Sequence, residues 1–165
     1  MRTRNHSLDA TRILGALALL VVGGVHFQLY QYEFYSSIPT IGPLFLVNFI
    51  AATALALFLL APIRRRLGRR GEWLDQLAAL AGIGVAAGAL IALLISEHTP
   101  VFGFMEIGYR FVVVLAIASE AVAIAILSAF LVRARQHARL RSGDGPRAGD
   151  RSRPHERPVT TTAER

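Results

Sequence analysis

Four long apolar runs dominate the first 140 residues of this chain of 165 and restrict what it can fold into. They occupy residues 10–30, 41–60, 77–95 and 111–132. Each run reaches, or comes within one residue of, the about 20 residues that a helix needs to cross a membrane. Connections of roughly ten to sixteen residues are typical of an up-down-up-down bundle. The predicted fold is therefore all-α, a polytopic membrane protein whose transmembrane domain covers residues 10–140.

Composition agrees with this fold class, since 53% of the residues are hydrophobic, against about 45–50% in soluble domains. The apolar centre of the first run is short enough to resemble the core of a signal peptide, and Val22-x-Gly24 is a permissive cleavage site. Aromatic and polar residues extend the run as far as Tyr30, and further spans follow it. We therefore expect the first run to remain as a helix.

The arginines orient the chain. All eighteen basic residues are Arg, and seventeen of them lie before or at the start of the first run, which has Arg12 as its third residue, between the second and third runs, or after the fourth. Only Arg110 lies on the other side, together with all four tyrosines, which are typical of an interfacial belt. The positive-inside rule predicts a protein of the cytoplasmic membrane with both termini in the cytoplasm, residues 1–9 forming the N-terminal segment.

Residues 141–165 form a basic tail with three prolines, mixed charge and almost no apolar side chains. Such a segment cannot bury a core, and we expect it to be disordered in the cytoplasm. Its arginines, with those between the second and third runs, either contact anionic lipid headgroups or only fix the topology. Nucleic acid is not an expected partner, because the tail has neither a structured basic face nor interleaved aromatic residues.

Glu120 is a lone carboxylate in the middle of the fourth run, near the predicted bilayer midplane. An acidic residue at that depth costs about 2.5–3.5 kcal/mol on insertion scales, so such residues tend to face a bundle interior or a cavity. Two interpretations stay open. Glu120 is either a proton or cation site, or a hydrogen-bonded carboxyl that holds helices together.

Two further polar residues lie at lesser depth on the same predicted outer side. At about 1.5 Å per residue, His26 lies about 6 Å and Asn48 about 10 Å into their runs, against about 13 Å for Glu120. The three could line one crevice open to the outside. Alternatively, His26 is an ordinary interfacial histidine and Asn48 a hydrogen-bonding residue between helices. The residues at the predicted mouth of the crevice are Glu97, His98, Glu106, Tyr109 and Arg110.

Recognisable catalytic chemistry is not found in the sequence. The chain has no cysteine, which excludes disulfides, zinc fingers and thiolate-ligated clusters. His26, Glu97, His98 and Glu106 carry metal-ligand chemistry, but no ligand spacing supports a metal site. A bis-histidine haem would need a second histidine at the depth of His26. We therefore predict no catalytic residue, no metal and no cofactor, and leave enzymatic activity undecided.

A stripe of small residues follows one face of the third run, at Ala81, Gly84, Gly88 and Ala92. Gly-x-x-x-Gly spacing lets helix backbones approach each other closely. We interpret the stripe as a packing face inside the bundle, with a homodimer face as the alternative.

The segment IPTIGPLFLVN at residues 38–48, together with VFGFME at residues 101–106, resembles a group of uncharacterised small four-span membrane proteins of actinobacterial type. The resemblance covers roughly residues 12 to 130. It implies the same four-span topology and no activity.

Three functions remain as hypotheses. The first is a binding or accessory membrane protein with an outward-facing polar crevice that ends at Glu120, acting alone, as a homo-oligomer or in a larger complex. The second is a proton- or cation-coupled transporter subunit that uses Glu120, Asn48 and His26. The third is a quinone- or haem-linked redox subunit.

Overall fold

The computed structural model describes residues 2–33, 35–62, 67–103, 105 and 110–141, whose long elements are all helices. Each of the four is long and apolar enough to cross a membrane, which indicates a multi-pass membrane protein and confirms the predicted all-α class with four such helices. A short 3₁₀ helix, Tyr35–Ser37, follows the first. The helices are α1 (Arg2–Tyr32), α2 (Ile41–Leu60), α3 (Arg69–Ser96) and α4 (Phe111–Arg141).

Three of the helices are longer than the apolar runs that predict them. Only α2 keeps to residues 41–60, whereas α1, α3 and α4 continue into polar, Arg-containing sequence. Arg, Gln and Ala are strong helix formers, and long basic side chains can reach water from a helix end. Because α1 continues to Tyr32, His26 lies about 9 Å from its end rather than the about 6 Å expected.

Local sequence accounts for where the helices begin. Pro43 lies in the first turn of α2, where its missing N–H costs little. Gly68 precedes α3 with φ 53°, in the left-handed region that glycine enters without a Cβ clash. Residues 64–66, which belong to the predicted headgroup-contacting arginines, and the tail from residue 142, where we predict disorder, lie outside the described residues.

The helices pack as a ring in which each contacts the next and α1 also contacts α4. In the most apolar stretch of each helix, 50% of α1 is buried, against 17% of α2 and 22% of α3. The first helix is therefore the most enclosed. The other two present broad apolar faces outward, as helices that contact lipid do.

The centre of the bundle is built on close approach at two glycines. Leu127 of α4 is fully buried, and a Cβ on Gly15 of α1 would lie 2.6 Å from its Cδ2. A Cβ on Gly82 of α3 would lie 3.1 Å from Leu127 Cδ1 and 2.8 Å from Leu19 Cδ1. The two glycines thus make room for the leucines at the centre of the core.

The small stripe on α3 is not packed inside the bundle, although Ala92 also borders the cavity described below. Ala81, Gly84, Gly88 and Ala92 are all exposed, and a Cβ added to either glycine would meet no atom of the described chain within 4 Å. Our interpretation of the stripe as an internal packing face is therefore wrong. The inward face of α3 is instead formed by Ala78, Ala79, Gly82 and Ala86, because the small residues lie all round the helix and give no periodic signal.

A buried ion pair joins α1 to α3 in their N-terminal halves. Arg12 Nη1 lies 3.4 Å from Asp75 Oδ2, with side-chain exposures of 12% and 1%. Asp75 precedes the predicted third span, so the sequence did not single it out. Arg12, which the sequence analysis used only to orient the chain, therefore also forms a contact between two helices.

Candidate functional site

A cavity of about 140 Å³ lies among all four helices, on the level of Glu120. Its walls are drawn from the C-terminal halves of α1 and α3 and the N-terminal halves of α2 and α4. Most of the lining is apolar, and the polar groups are few. The lining residues are His26, Leu29, Tyr35, Ile41, Leu44, Phe45, Asn48, Ala89, Ala92, Leu93, Ser96, Val101, Phe102, Val113, Ala116 and Glu120.

Glu120 lies on the inward face of α4 and is 1% exposed. Ala116 and Ala123, one turn before and after it, are also buried, whereas Ala118 and Ala125 are exposed. The helix is therefore rotated so that the carboxyl faces the cavity and small residues leave room beside it. Sequence alone gave Glu120 a depth but not this orientation.

His26 of α1 faces Glu120 across the contact between the two helices. Its Nε2 lies 3.5 Å from Oε1 of Glu120, and the histidine is 5% exposed. Its other nitrogen, Nδ1, lies 2.9 Å from the carbonyl oxygen of Val22. Because a carbonyl only accepts, Nδ1 carries a hydrogen and donates it to Val22. Nε2 is then the nitrogen available to Glu120.

The two nitrogen contacts of His26 decide where a proton can lie in this pair. With Nδ1–H fixed, a neutral His26 presents a lone pair to Glu120, and a lone pair facing a carboxylate oxygen is repulsive. The contact becomes favourable when one further proton lies on either Nε2 or Oε1. The pair is therefore suited to hold one proton between the two side chains, which makes it neutral overall, as a buried site in a low-dielectric medium requires.

Two buried acceptor atoms at this end of the cavity lack donors. Oε2 of Glu120 and Oδ1 of Asn48 are both buried, and neither has a hydrogen-bond partner among the described residues. An unsatisfied buried polar atom costs about 1–3 kcal/mol, and such atoms are rare in native structures. Two such acceptors in one apolar cavity are available to donors of a molecule that enters it.

Aromatic rings link this end of the cavity to Arg110, one of the predicted mouth residues. The ring of Phe45 lies 5.3 Å from that of His26 and stacks on Tyr35 at 4.9 Å. The hydroxyl of Tyr35 accepts a hydrogen bond from Nη2 of Arg110 at 2.7 Å, and Nη1 of Arg110 lies 2.5 Å from Glu33 Oε2. A continuous series of contacts therefore runs from Arg110 to His26, next to Glu120.

Of the predicted mouth residues that the structure describes, Arg110 contacts the cavity wall. Arg110 reaches the cavity wall through Tyr35, but neither Glu97 nor His98 belongs to the lining. Glu97 is half-buried just past the end of α3, and the exposed His98 places its Nδ1 3.0 Å from the carbonyl oxygen of Leu94 in the last turn of α3. Glu106 and Tyr109 lie outside the described residues.

Sequence reasoning missed Tyr35, Phe45 and Glu33. Tyr35 counted only as one member of an aromatic belt, although it is buried against the cavity. One signal was available: Arg110 is the lone arginine on its predicted side, and Glu33, which directly follows α1, carries the opposite charge. No spacing marks Phe45, because its partners belong to other elements.

Metal-ligand chemistry is sparse. No group of three or more His, Asp or Glu residues that could hold a metal ion occurs in the part of the chain that the structure describes. His26 is the only histidine in the described lining of the cavity. The polar groups present suit hydrogen bonding and proton exchange.

Comparisons of the chain with protein-family models, with curated proteins and with solved structures find no match. The resemblance of residues 38–48 to small four-span actinobacterial proteins therefore stays a prediction. Inference about function has to come from the cavity itself.

Proposed function

We propose that this is a binding protein of the cytoplasmic membrane that takes up a small molecule from the outer side into the cavity of Glu120, His26 and Asn48. The four helices alternate in direction, and both termini lie in the cytoplasm. The arginine distribution supports this orientation. The composition of the cavity walls supports the alternation, since C-terminal halves of α1 and α3 meet N-terminal halves of α2 and α4.

The observation that carries the proposal is the pair of unpartnered acceptors, Glu120 Oε2 and Asn48 Oδ1, in an otherwise apolar cavity. Ligand sites commonly combine an apolar wall with a few convergent polar groups that fix orientation. A molecule with an apolar body and one donor-bearing group would satisfy both acceptors and fill the remaining space. The protein is then an accessory or carrier component, and we assign it no reaction.

A proton- or cation-coupled transporter subunit is the second candidate, and the contact between His26 and Glu120 favours it. A neutral pair that holds one proton inside the membrane is a unit on which exchange can operate. A complete transporter of this size needs more than one copy or a further subunit to provide alternating access. Homo-oligomerisation and membership of a larger complex therefore remain predictions, as does contact of the basic regions with anionic headgroups.

The redox hypothesis has less support. A haem with two histidine ligands needs a partner for His26, and no other described residue lining the cavity is a histidine. A quinone head needs donors for its carbonyl oxygens, whereas the unpartnered atoms of this cavity are acceptors.

Cavity filling tests the proposal. Ala116 is buried in the lining one turn before Glu120, so Ala116→Leu places extra carbon atoms in the cavity. Ala118→Leu adds the same atoms on the exposed face of α4 and is the matched control. The measurement is the melting temperature of the full chain in lipid nanodiscs, with and without small molecules of one aromatic ring and one polar group, such as benzyl alcohol and benzylamine.

A ligand that binds the folded state raises the melting temperature by mass action. We expect at least one of the probes to stabilise the unmodified protein and Ala118→Leu, and to lose that effect in Ala116→Leu. Equal stabilisation of both variants, or none in the unmodified protein, would contradict binding in this cavity.

A further inference from the structure

We propose that the ligand is a small organic ammonium and that its binding releases the proton held between His26 and Glu120. This inference rests on the proposed function and specifies the chemical class that the site accepts. It also makes the site an exchanger of one cation for one proton.

The hydrogen-bonding capacity of the site selects for donors. Oε2 of Glu120 and Oδ1 of Asn48 are acceptors without partners among the described residues, and the Nδ1–H of His26 is already directed to Val22. An ammonium group carries three donors and no acceptor, as the side chain of lysine does. Its three hydrogens are enough for both acceptors, whereas a single hydroxyl group has one hydrogen to donate.

Charge balance then requires the proton to leave. With its proton, the pair of His26 and Glu120 is neutral, and an added ammonium would place a net positive charge inside the membrane. Loss of the proton leaves a Glu120 carboxylate whose charge the ammonium compensates, and the third N–H of the ammonium is available to the Nε2 lone pair of His26, which would otherwise face that carboxylate. A proton and an organic cation are therefore alternative occupants that neutralise the same carboxylate, and isolated charges at this depth are costly.

The walls favour an organic cation over a metal ion. Hard cations such as Mg²⁺ and Ca²⁺ take about six or more oxygen ligands, including water, whereas this lining is mostly apolar. Phe45 and Tyr35 line the cavity with two rings that stack on each other, so this wall offers aromatic contact to the apolar part of an organic ligand. At about 140 Å³, the volume is close to that of a cavity of about 150 Å³ known to hold benzene. One ring with a short ammonium arm is the expected size.

The exchange itself involves no covalent change in the ligand. The ammonium enters with its charge and its three hydrogens, and one proton passes from the pair of His26 and Glu120 to water. The titratable groups in the described lining are His26, Tyr35 and Glu120, and Arg110 and Glu33 lie above Tyr35. Asn48 from α2 and Ser96 from α3 complete the polar lining of the cavity.

Isothermal titration calorimetry of the full chain in nanodiscs tests the inference. Benzylamine is the cationic probe and benzyl alcohol the neutral probe of the same ring. Titrations in buffers of different ionisation enthalpy give the number of protons released. We expect about one proton released per benzylamine and about tenfold weaker binding of the alcohol. We also expect about tenfold weaker binding of benzylamine for each pH unit of acidification, while Glu120 remains protonated in the empty site.

Two variants refine the test. Glu120→Gln keeps the shape but removes the exchangeable proton, so both benzylamine affinity and proton release should fall. Glu72→Gln, in the first turn of α3 and outside the cavity lining, is the control and should leave both unchanged. If Glu120→Gln does not fold, the pH dependence of the unmodified protein still decides the question.

The outcomes separate the two proposals. Binding of benzyl alcohol without benzylamine would overturn the ammonium class and leave the cavity as a binding site. Benzylamine binding without proton release, or without pH dependence, would overturn the exchange. If neither probe binds, the proposed binding function itself is contradicted.

Discussion

Nε2 of His26 lies 3.5 Å from Oε1 of Glu120, and this contact joins the first helix of the bundle to the last. Both side chains are almost completely buried, and Nδ1 of the histidine is committed to a carbonyl of its own helix. The contact therefore combines an interhelical tie with a place to hold one proton. The free energy of unfolding reports on the contact between the helices, and proton release on ligand binding reports on the proton.

A double-mutant cycle between His26→Ala and Glu120→Ala should reveal coupling between the two residues. Each single change leaves a buried polar partner unsatisfied and should lower the free energy of unfolding by about 1–3 kcal/mol. The double variant should cost less than the sum, by about 0.5–2 kcal/mol. Reversible unfolding in detergent mixtures gives these values. The exposed His98 paired with Glu120 provides the uncoupled control, and strict additivity for His26 would contradict the contact.

The ion pair between Arg12 and Asp75 should behave as a buried pair. Removing one partner, as in Asp75→Leu, leaves a buried charge without its partner and should destabilise the protein by about 3 kcal/mol. Replacing both residues, as in Arg12→Met with Asp75→Leu, should recover most of that loss. The same unfolding assay applies, with the exposed Arg135→Met as the control. A double variant no more stable than Asp75→Leu alone would argue against a direct pair.

Arg110 should control access to the cavity more than it controls stability. Its ion pair with Glu33 is partly exposed, so Arg110→Ala should cost at most about 1 kcal/mol. The same change removes the contacts that Arg110 makes with Tyr35 in the cavity wall. We expect several-fold faster modification of a cysteine placed at position 116, and partial recovery when Arg110→Glu is combined with Glu33→Arg. An unchanged rate would remove Arg110 from the access route.

Two glycines of α3 should respond in opposite ways to the same substitution. Gly82→Leu drives a side chain into Leu19 and Leu127 and should cost about 1–3 kcal/mol by overpacking. Gly84→Leu points away from the bundle and should leave the stability of a single copy unchanged or slightly raised. Thermal unfolding of the two variants at low protein concentration makes the comparison. The reverse order would mean that α3 is rotated differently in the membrane.

The sequence supported the general architecture because helix length and hydropathy are local properties. Glu120, His26 and Asn48 could each be assigned a depth from helix rise alone. Their meeting in one cavity could not be derived, because helices that are apolar all round carry no periodic signal that sets their rotation. For the same reason, the prediction that Gly84 and Gly88 pack inside the bundle was wrong. Asp75 and Phe45 escaped notice because their partners lie on other elements of the fold.

Accessibility of position 116 from outside the cell tests the central claim most directly. The chain has no cysteine, so Ala116→Cys is a single reporter in the cavity wall and Ala118→Cys a matched reporter on the exposed face of the same helix. A small, charged, membrane-impermeant thiol reagent is added to intact cells. We predict that Ala116→Cys is modified, that Ala118→Cys is protected by lipid, and that benzylamine slows the reaction at position 116. Modification only from the cytoplasmic side, or equal reaction at both positions, would contradict an outward-facing ligand cavity at Glu120.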